Sequence, residues 1–231
     1  MRQFIIVLTI QIICLTASAQ HGFGVKANGG LSYITTVMSG QNQKFYFRPS
    51  GQSGLFYSFH FKNRFYIGAE VLFVPIYGKE YFIVKYTDNN GNYTGKYVED
   101  IIYRYIYNLG IPIYFGSSYK KFNINLGLRT HFVLASGGRE IGKTFYNGQL
   151  YTWNNRADKL GINNRDYVVS IGLLYKLSDQ ISIETNYYYG LTNLLKDRSL
   201  TKNWTWRVQQ VTLGLRYKFF SIDSHNKCTS K

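Results

Sequence analysis

Residue types that carry out catalysis or bind metals are few in this sequence. The histidines, His21, His60, His131 and His225, show no metal-ligand spacing and no cysteine cluster accompanies them. The segment "GFGVKA" fits Gly-x-Gly-x-x-Ala, but it opens a strand, whereas a dinucleotide site needs a strand before the glycines and a helix after them. His131 and Ser136 have the types used in nucleophilic hydrolysis, although a hydrogen-bonding histidine in the interior is the simpler interpretation. The sequence therefore predicts no catalytic residue, no metal and no cofactor.

The charged residues follow a more regular pattern. In the segment "VTLGLRYKFF", residues 211–220, apolar side chains hold the odd positions, while Arg216 and Lys218 share the even ones with Thr212 and Gly214. A period of two places these sets on opposite faces of a strand. The charged residues on the glycine-bearing face of such segments are Lys26, Glu70, Arg104, Arg129, Lys176, Glu184, Arg216 and Lys218.

Enclosing that face would bury six cations with two acids. Buried charges are costly unless they are paired and hydrogen-bonded. We therefore expect a lumen charge network in which Glu70 and Glu184 each lie between at least two cations. Asn108, Asn125 and Asn186 are expected to complete the hydrogen bonds.

Strands must position these residues. The chain of 231 residues is 45% hydrophobic, with 22 Tyr and only 3 Pro, a composition that favours sheet. Eight segments alternate with a period of two, and they lie at about residues 25–33, 54–61, 64–77, 103–115, 122–134, 167–177, 181–191 and 211–220. The first residues, "MRQFIIVLTIQIICLTASAQ", have a basic start, an apolar run and Ala-Ser-Ala, which predicts a signal peptide over 1–19.

The connections between the eight segments alternate in length. Short ones lie near 62–64, 116–121 and 178–180, whereas long ones cover about 34–50, 78–100, 135–166 and 192–205. Within 78–100, β-forming runs at 81–87 and 93–98 flank Asn90-Gly91, which predicts that this connection projects as a hairpin. Outer-membrane barrels have short turns on the periplasmic side and long loops outside. The sequence thus predicts an all-β fold, an eight-stranded antiparallel up-and-down transmembrane β-barrel over 20–220, followed by a disordered polar tail over 221–231.

Which face meets lipid follows from side-chain size. The interior of eight strands is just wide enough for side chains to fill, so the crowded inner face needs small residues. Because the glycines share the charged face, that face is predicted inside and the aromatic face against lipid. The alternative is a secreted calycin-like barrel that binds a ligand and packs its aromatic residues inside.

Two segments carry a resemblance to a known family. "NLGIPIYF" and the terminal "LGLRYKFF" are similar to the corresponding strands of PorT-like outer-membrane β-barrel proteins of the Bacteroidetes type. The resemblance covers about Gly22 to Phe220, and it implies a bacterial outer-membrane barrel with a role in secretion or assembly for some members. The last strand also resembles the signal by which the insertion machinery recognises outer-membrane proteins. The resemblance to the PorT-like family implies no catalytic residue in this chain.

The formal net charge of +15 points to an anionic partner. The cations are spread over turns, lumen and loops, so we expect no nucleic-acid binding. The third long loop concentrates cations where phosphates of lipopolysaccharide would lie, and these are Arg139, Lys143, Arg156, Lys159 and Arg165. An ordinary solvated loop explains them equally well.

Three hypotheses for function remain from the sequence. The first is a monomeric, non-enzymatic membrane module with a structural, loop-displaying or secretion-accessory role and a charged, plugged lumen. The second is a lipid-modifying enzyme of the outer membrane, which would use residues such as His131 and Ser136. The third is the secreted ligand-binding barrel.

Overall fold

The structure, a computed structural model, describes residues 20–37, 43–61, 64–87, 93–146, 148–195 and 205–223. The predicted signal peptide, most of the predicted tail and His225 lie outside these ranges. Within them, no helix is long and apolar enough to cross a membrane.

The described residues form ten strands. They are β1 (Gln20–Val37), β2 (Gln43–Tyr46), β3 (Arg48–Phe61), β4 (Phe65–Thr87), β5 (Tyr93–Tyr119), β6 (Phe122–Tyr146), β7 (Gln149–Ala157), β8 (Arg165–Lys176), β9 (Ile181–Gly190) and β10 (Thr205–Asp223).

Eight of these strands close a ring. The order is β1-β3-β4-β5-β6-β8-β9-β10, every pairing is antiparallel, and β10 returns to pair with β1 along its whole length. Neighbours in the ring therefore follow one another along the chain, apart from the short strands β2 and β7, which pair only with β4 and β6. The predicted eight-stranded up-and-down barrel is confirmed.

Side chains alternate between the two surfaces as predicted. Leu126, Leu128 and Leu213 are more than half exposed on the outer surface, whereas Asn125 and Gly127, which alternate with the first two leucines, are buried inside. An apolar outer surface on a closed barrel suits lipid, so the calycin-like arrangement with aromatic residues packed inside is wrong.

Glycine on the inner surface makes room for tyrosine rings. A Cβ at Gly68 would lie 2.2 Å from the Tyr114 ring, and one at Gly116 would lie 2.3 Å from the Tyr66 ring. Because the interior of eight strands is narrow, a large residue on one strand requires a small one on its neighbour.

Three strands continue well beyond the predicted barrel segments. In residues 78–100, expected to be a connection that projects as a hairpin, β4 continues to Thr87 and β5 begins at Tyr93, with paired backbones from Tyr77 and Tyr105 up to Thr87 and Tyr93. The hairpin expected in this segment is thus present, and its Asn90-Gly91 turn lies outside the described residues. β6 likewise continues to Tyr146 and pairs with β7, in a region expected to be a loop.

Two boundaries at the opposite end also differ. β5 extends to Tyr119, so the turn to β6 contains only Lys120 and Lys121, and Lys120 adopts a φ of 53°. β10 continues to Asp223, because residues 221–223 pair with the first residues of β1. The tail predicted from residue 221 therefore starts at least three residues too early.

The half of the lumen near the long connections contains an apolar cluster that the sequence did not predict. Inward residues of β1, β4, β5 and β10 pack there with residues of the connections at 160–162 and 194–195. The cluster consists of Ile34, Leu72, Val74, Ile76, Ile106, Ile162, Leu194, Leu195, Trp206 and Val208. We call it the apolar cap, because it fills the lumen beside the long connections.

The surface assignment is testable in β9. Ile183 lies on the outer surface and Ser182 on the inner one, in register with Lys176 of β8. Ile183→Asp should prevent membrane assembly because it places a carboxylate in hydrocarbon, whereas Ser182→Asp places the same group beside a cation and should be tolerated. Heat-modifiable migration of the membrane fraction measures assembly. Equal assembly of the two variants would contradict the assignment.

Candidate functional site

Two cations and two acids meet in the middle of the lumen. Lys26 of β1 lies 3.0 Å from Glu70 of β4 and 2.5 Å from Glu184 of β9, measured from Nζ to the carboxylate oxygens. Arg216 of β10 pairs with both acids as well, at 3.0 Å from Glu184. Each glutamate therefore contacts both cations. We call this set the central cluster, and its formal charges sum to zero.

Polar and aromatic neighbours complete the central cluster. Asn28 donates to Glu184 Oε1 at 2.5 Å, and Arg216 donates to the hydroxyl of Tyr114 at 3.0 Å. The Arg216 guanidinium carbon also lies 4.3 Å from the centre of the Phe56 ring. Phe56 faces the lumen because it shares the even positions of its strand with Ser58 and His60, and the contact with Arg216 accommodates its ring there.

Among the described residues, the three asparagines expected to hydrogen-bond to the two glutamates make no hydrogen bond to them. Asn108 donates to the carbonyl of Val74 and Asn125 to the hydroxyl of Tyr66, both at 3.4 Å. The side chain of Asn186 lies in the lumen against the position of Gly172, and its Nδ2 has no hydrogen-bond partner among the residues that the structure describes. The sequence places all three inside but does not identify Asn28 as the residue that contacts Glu184.

Arg104 lies in a second ion pair, away from the central cluster. Its partner is Glu80, which also accepts a hydrogen bond from Thr36. The Arg104 guanidinium carbon lies 4.0 Å above the Trp206 ring, against the apolar cap. Glu80 was missed because residues 78–100 were assigned to a loop. The expectation of only two lumen acids is therefore wrong.

Arg129 is fully buried without an ion pair among the described residues. Its guanidinium carbon lies 3.9 Å from the centre of the Tyr188 ring, an arrangement in which the ring face compensates part of the lost hydration. Beside it on β6, His131 lies 3.6 Å from Asp166, which accepts a hydrogen bond from Thr192. Asp166 is a further interior acid that the sequence assigned to a loop.

Lys176 and Lys218 lie at the other mouth of the barrel, by the short turns. They line a vestibule of about 300 Å³ together with His60, Ser58 and Asp179. Within the described residues, neither lysine is within 4 Å of a carboxylate, so neither belongs to the central cluster. Of the eight predicted network residues, the structure brings four together and distributes the others along the lumen.

The possible hydrolase pair is not assembled. Ser136 Oγ accepts a hydrogen bond from the backbone of Leu160 at 3.3 Å, and His131 has Asp166 as its near neighbour. Both His131 and Ser136 are buried. In the part of the chain that the structure describes, no group of three His, Cys, Asp or Glu side chains could hold a metal ion.

The long strands form a second structural unit beyond the ring. β2, β4, β5, β6 and β7 pair side by side there, over residues 43–46, 79–87, 93–102, 138–146 and 149–157. We call this unit the projecting sheet. Lys143 and Glu99 pair on it at 2.9 Å, and Trp153 donates to Glu140 at 2.9 Å. Burial, and secondarily the charge of Glu140, raises the pKa of Asp100 to about 6.

Removing a central acid should destabilise the barrel strongly. Glu184→Gln leaves Lys26 and Arg216 buried with one carboxylate between them, and breaking a buried ion pair from one side costs about 3–5 kcal/mol. The matched control is Glu99→Gln, whose surface pair contributes about 0–1 kcal/mol. Urea unfolding in detergent, followed by heat-modifiable migration, measures both. Equal losses would show that the central cluster does not carry this stability.

The lumen should not conduct ions. The apolar cap fills one half and the central cluster crosses the middle, whereas water-filled porins need about sixteen strands. We expect purified protein to give no stable single-channel steps in planar bilayers, with a general porin as the positive control. Stable, large steps from a single barrel would contradict the plugged lumen.

Three solved structures of outer-membrane proteins are similar to the chain at low sequence identity. Neisserial surface protein A is 10% identical, with a TM-score of 0.41, over 85% of this chain and 97% of that one. Ail of Yersinia pestis is 12% identical, with a TM-score of 0.38, over 87% and 99%. The outer-membrane protease OmpT from Escherichia coli is 8% identical, with a TM-score of 0.32, over 87% and 96%.

None of the curated protein sequences compared with the chain matches it. The model of a protein family, described as an outer membrane protein beta-barrel domain, matches residues 16–196. The chain therefore belongs to this outer-membrane β-barrel family, and it is a protein of the bacterial outer membrane.

Proposed function

We propose that this barrel is a surface-display module, which holds a preformed sheet outside the cell for contact with a partner, and that it is neither a channel nor an enzyme. The observation that carries the proposal is the projecting sheet. Three of its strands, β4, β5 and β6, continue directly from the ring, so the sheet has a fixed position relative to the membrane.

Continuous pairing supports a rigid platform. The β4–β5 ladder runs from Phe65 to Thr87, with a register shift only near its tip, between Lys85 and Thr87. The β5–β6 ladder continues as far as Tyr97 and Phe145. Flexible loops would lose conformational entropy on binding, whereas a paired sheet has already lost it during folding. A display role therefore agrees with the extra strand length.

β7 forms one edge of the platform. In the described part of the chain it pairs only with β6, and its side chains are exposed at all positions except Trp153, which is partly buried. An edge strand presents unpaired backbone groups to which an extended segment of another protein can add. The PorT-like resemblance implies a secretion or assembly component as the partner. We therefore propose that a segment of such a component pairs with β7.

Topology supports an outward direction for the sheet. The projecting sheet extends from the end of the barrel that has the long connections, while the opposite end of the barrel has the short turn at Lys120-Lys121. In bacterial barrels the short turns face the periplasm. The buried position of His131 supports a non-enzymatic role, because a membrane lipid does not reach an enclosed side chain.

Surface labelling tests the proposal. In a Cys228→Ser background, Gln149→Cys places a thiol at the exposed start of β7, and Asp179→Cys places one in an exposed turn at the other end. A membrane-impermeant maleimide should label the first variant in intact cells and the second only after the outer membrane is opened.

The two variants control each other, because each carries one exposed cysteine on the same barrel. Labelling of Asp179→Cys, but not Gln149→Cys, in intact cells would place the projecting sheet in the periplasm. The display proposal would then fail.

A further inference from the structure

A column of aromatic rings rises along the outer wall from the lipid-facing surface to the base of the projecting sheet. It begins at Phe73, whose ring is 6.0 Å from that of Tyr107, and continues to Tyr77 and Tyr105 at 6.2 and 5.4 Å from Tyr107. Phe73 is 47% exposed on the outer surface. Aromatic belts of this kind sit at the level of lipid headgroups.

Cations lie immediately above this column. Lys79 Nζ is 5.1 Å from the Tyr46 ring and 5.5 Å from the Tyr103 ring, and the Arg48 guanidinium carbon is 5.7 Å from the Tyr103 ring. Lys79 is six residues beyond Phe73 on β4, which corresponds to ~20 Å along the strand. The charges thus stand above the aromatic level, where phosphate groups of a membrane lipid would be.

Arg48 and the rings of Tyr77, Tyr103, Tyr105 and Tyr107 line one groove of about 530 Å³, which we call the rim groove. Lys79 lies beside it, over the Tyr103 ring. The far wall of the groove contains Arg139, which donates to Asn154 at 2.8 Å, and Arg156. Tyr105 covers Gly137 so closely that a Cβ there would lie 2.2 Å from the hydroxyl oxygen. Glycine at this position lets the tyrosine ring lie flat against the wall and leaves the groove open.

Three of the cations at the rim groove have no carboxylate partner among the described residues. Among the described residues, none of Arg48, Lys79 and Arg139 is within 4 Å of a carboxylate, whereas Lys143, higher on the projecting sheet, is paired with Glu99. Arg156 pairs with the exposed Asp158. Two of these cations, Arg48 and Arg139, line the groove and Lys79 lies beside it. Cations this close repel one another, and an anionic ligand would remove that repulsion.

We propose that the rim groove binds a phosphorylated glycolipid of the outer leaflet, of the lipid A class. Its phosphate would lie between Lys79 and Arg139, and its acyl chains would follow the outer wall past Tyr107 and Phe73. Arginine and lysine both bind phosphate, and a ligand with an apolar tail explains why the cations adjoin the lipid-facing surface.

Only some of the loop cations that the sequence suggested for binding lipopolysaccharide lie at the rim groove. Arg139 and Arg156 line the rim groove. Lys143 is already paired, and Arg165 lies over the Phe132 ring on another part of the wall. Arg48 and Lys79 join the site although the sequence did not place them in that loop.

Retention of lipid by purified protein tests the site. The protein in detergent is mixed with diphosphoryl lipid A or, at the same concentration, with phosphatidylglycerol, and native mass spectrometry measures the bound lipid. The test variant is Lys79→Gln with Arg139→Gln, and the matched control is Lys120→Gln with Lys121→Gln at the opposite end, which removes the same charge. We expect wild type and control to prefer diphosphoryl lipid A and the test variant to bind it about tenfold more weakly.

Equal binding by the test variant and wild type, equal loss in both double variants, or equal retention of the two lipids by wild type would each overturn the proposal. Heat-modifiable migration confirms that every variant is folded before binding is measured. The inference rests on the proposed function only for placing the rim groove in the outer leaflet. Because the binding assay uses detergent, it succeeds or fails independently of the labelling result.

Discussion

Ring closure between β1 and β10 is the constraint on which the rest of the structure depends. In a membrane, every backbone donor and acceptor must be paired within the protein, and only a sheet without edges achieves this with strands. The eighteen residues of β1 pair with β10 on one side, and most of them pair with β3 on the other. Closure at eight strands fixes a narrow interior, and that width then decides which side chains can face it.

The interior is filled in two chemically different ways. In the middle, Lys26, Arg216, Glu70 and Glu184 neutralise one another; toward the projecting sheet, the apolar cap replaces charges with packed hydrocarbon. Arg104 lies where these regions meet, with Glu80 on one side and the Trp206 ring on the other. A buried ion pair contributes little net stability by itself. Removing one of its charges, however, leaves the other buried and unpaired, which destabilises the fold strongly. The central cluster therefore specifies which strands must face one another across the lumen.

The period-two pattern was sufficient to predict the ring and the surface of nearly every strand residue. It failed where both surfaces are apolar, as in "VLFVPIY" of β4, because Leu72, Val74 and Ile76 interrupt the polar inner set with the residues of the apolar cap. It gave less detail in the connections. The hairpin expected within residues 78–100 is present, but Glu80 and Asp166 were missed because both lie in segments assigned to connections between strands. Contacts between distant strands, such as Asn28 with Glu184, depend on barrel geometry and cannot be derived from spacing alone.

The distribution of charge connects the interior to the proposed role. Cations that face the lumen at the level of the central cluster have acids within contact distance, as do Arg104 at the apolar cap and Lys143 on the projecting sheet. Arg48, Lys79 and Arg139 differ from these, because they lie beside the aromatic column on the outer wall and no carboxylate of the described residues lies within 4 Å of them. Fixed cations at the headgroup level gain energy from anionic lipid in proportion to their number and hold the barrel at one depth. A barrel held at one depth keeps the projecting sheet at a constant height above the membrane, which is what presentation of an edge strand to a partner requires.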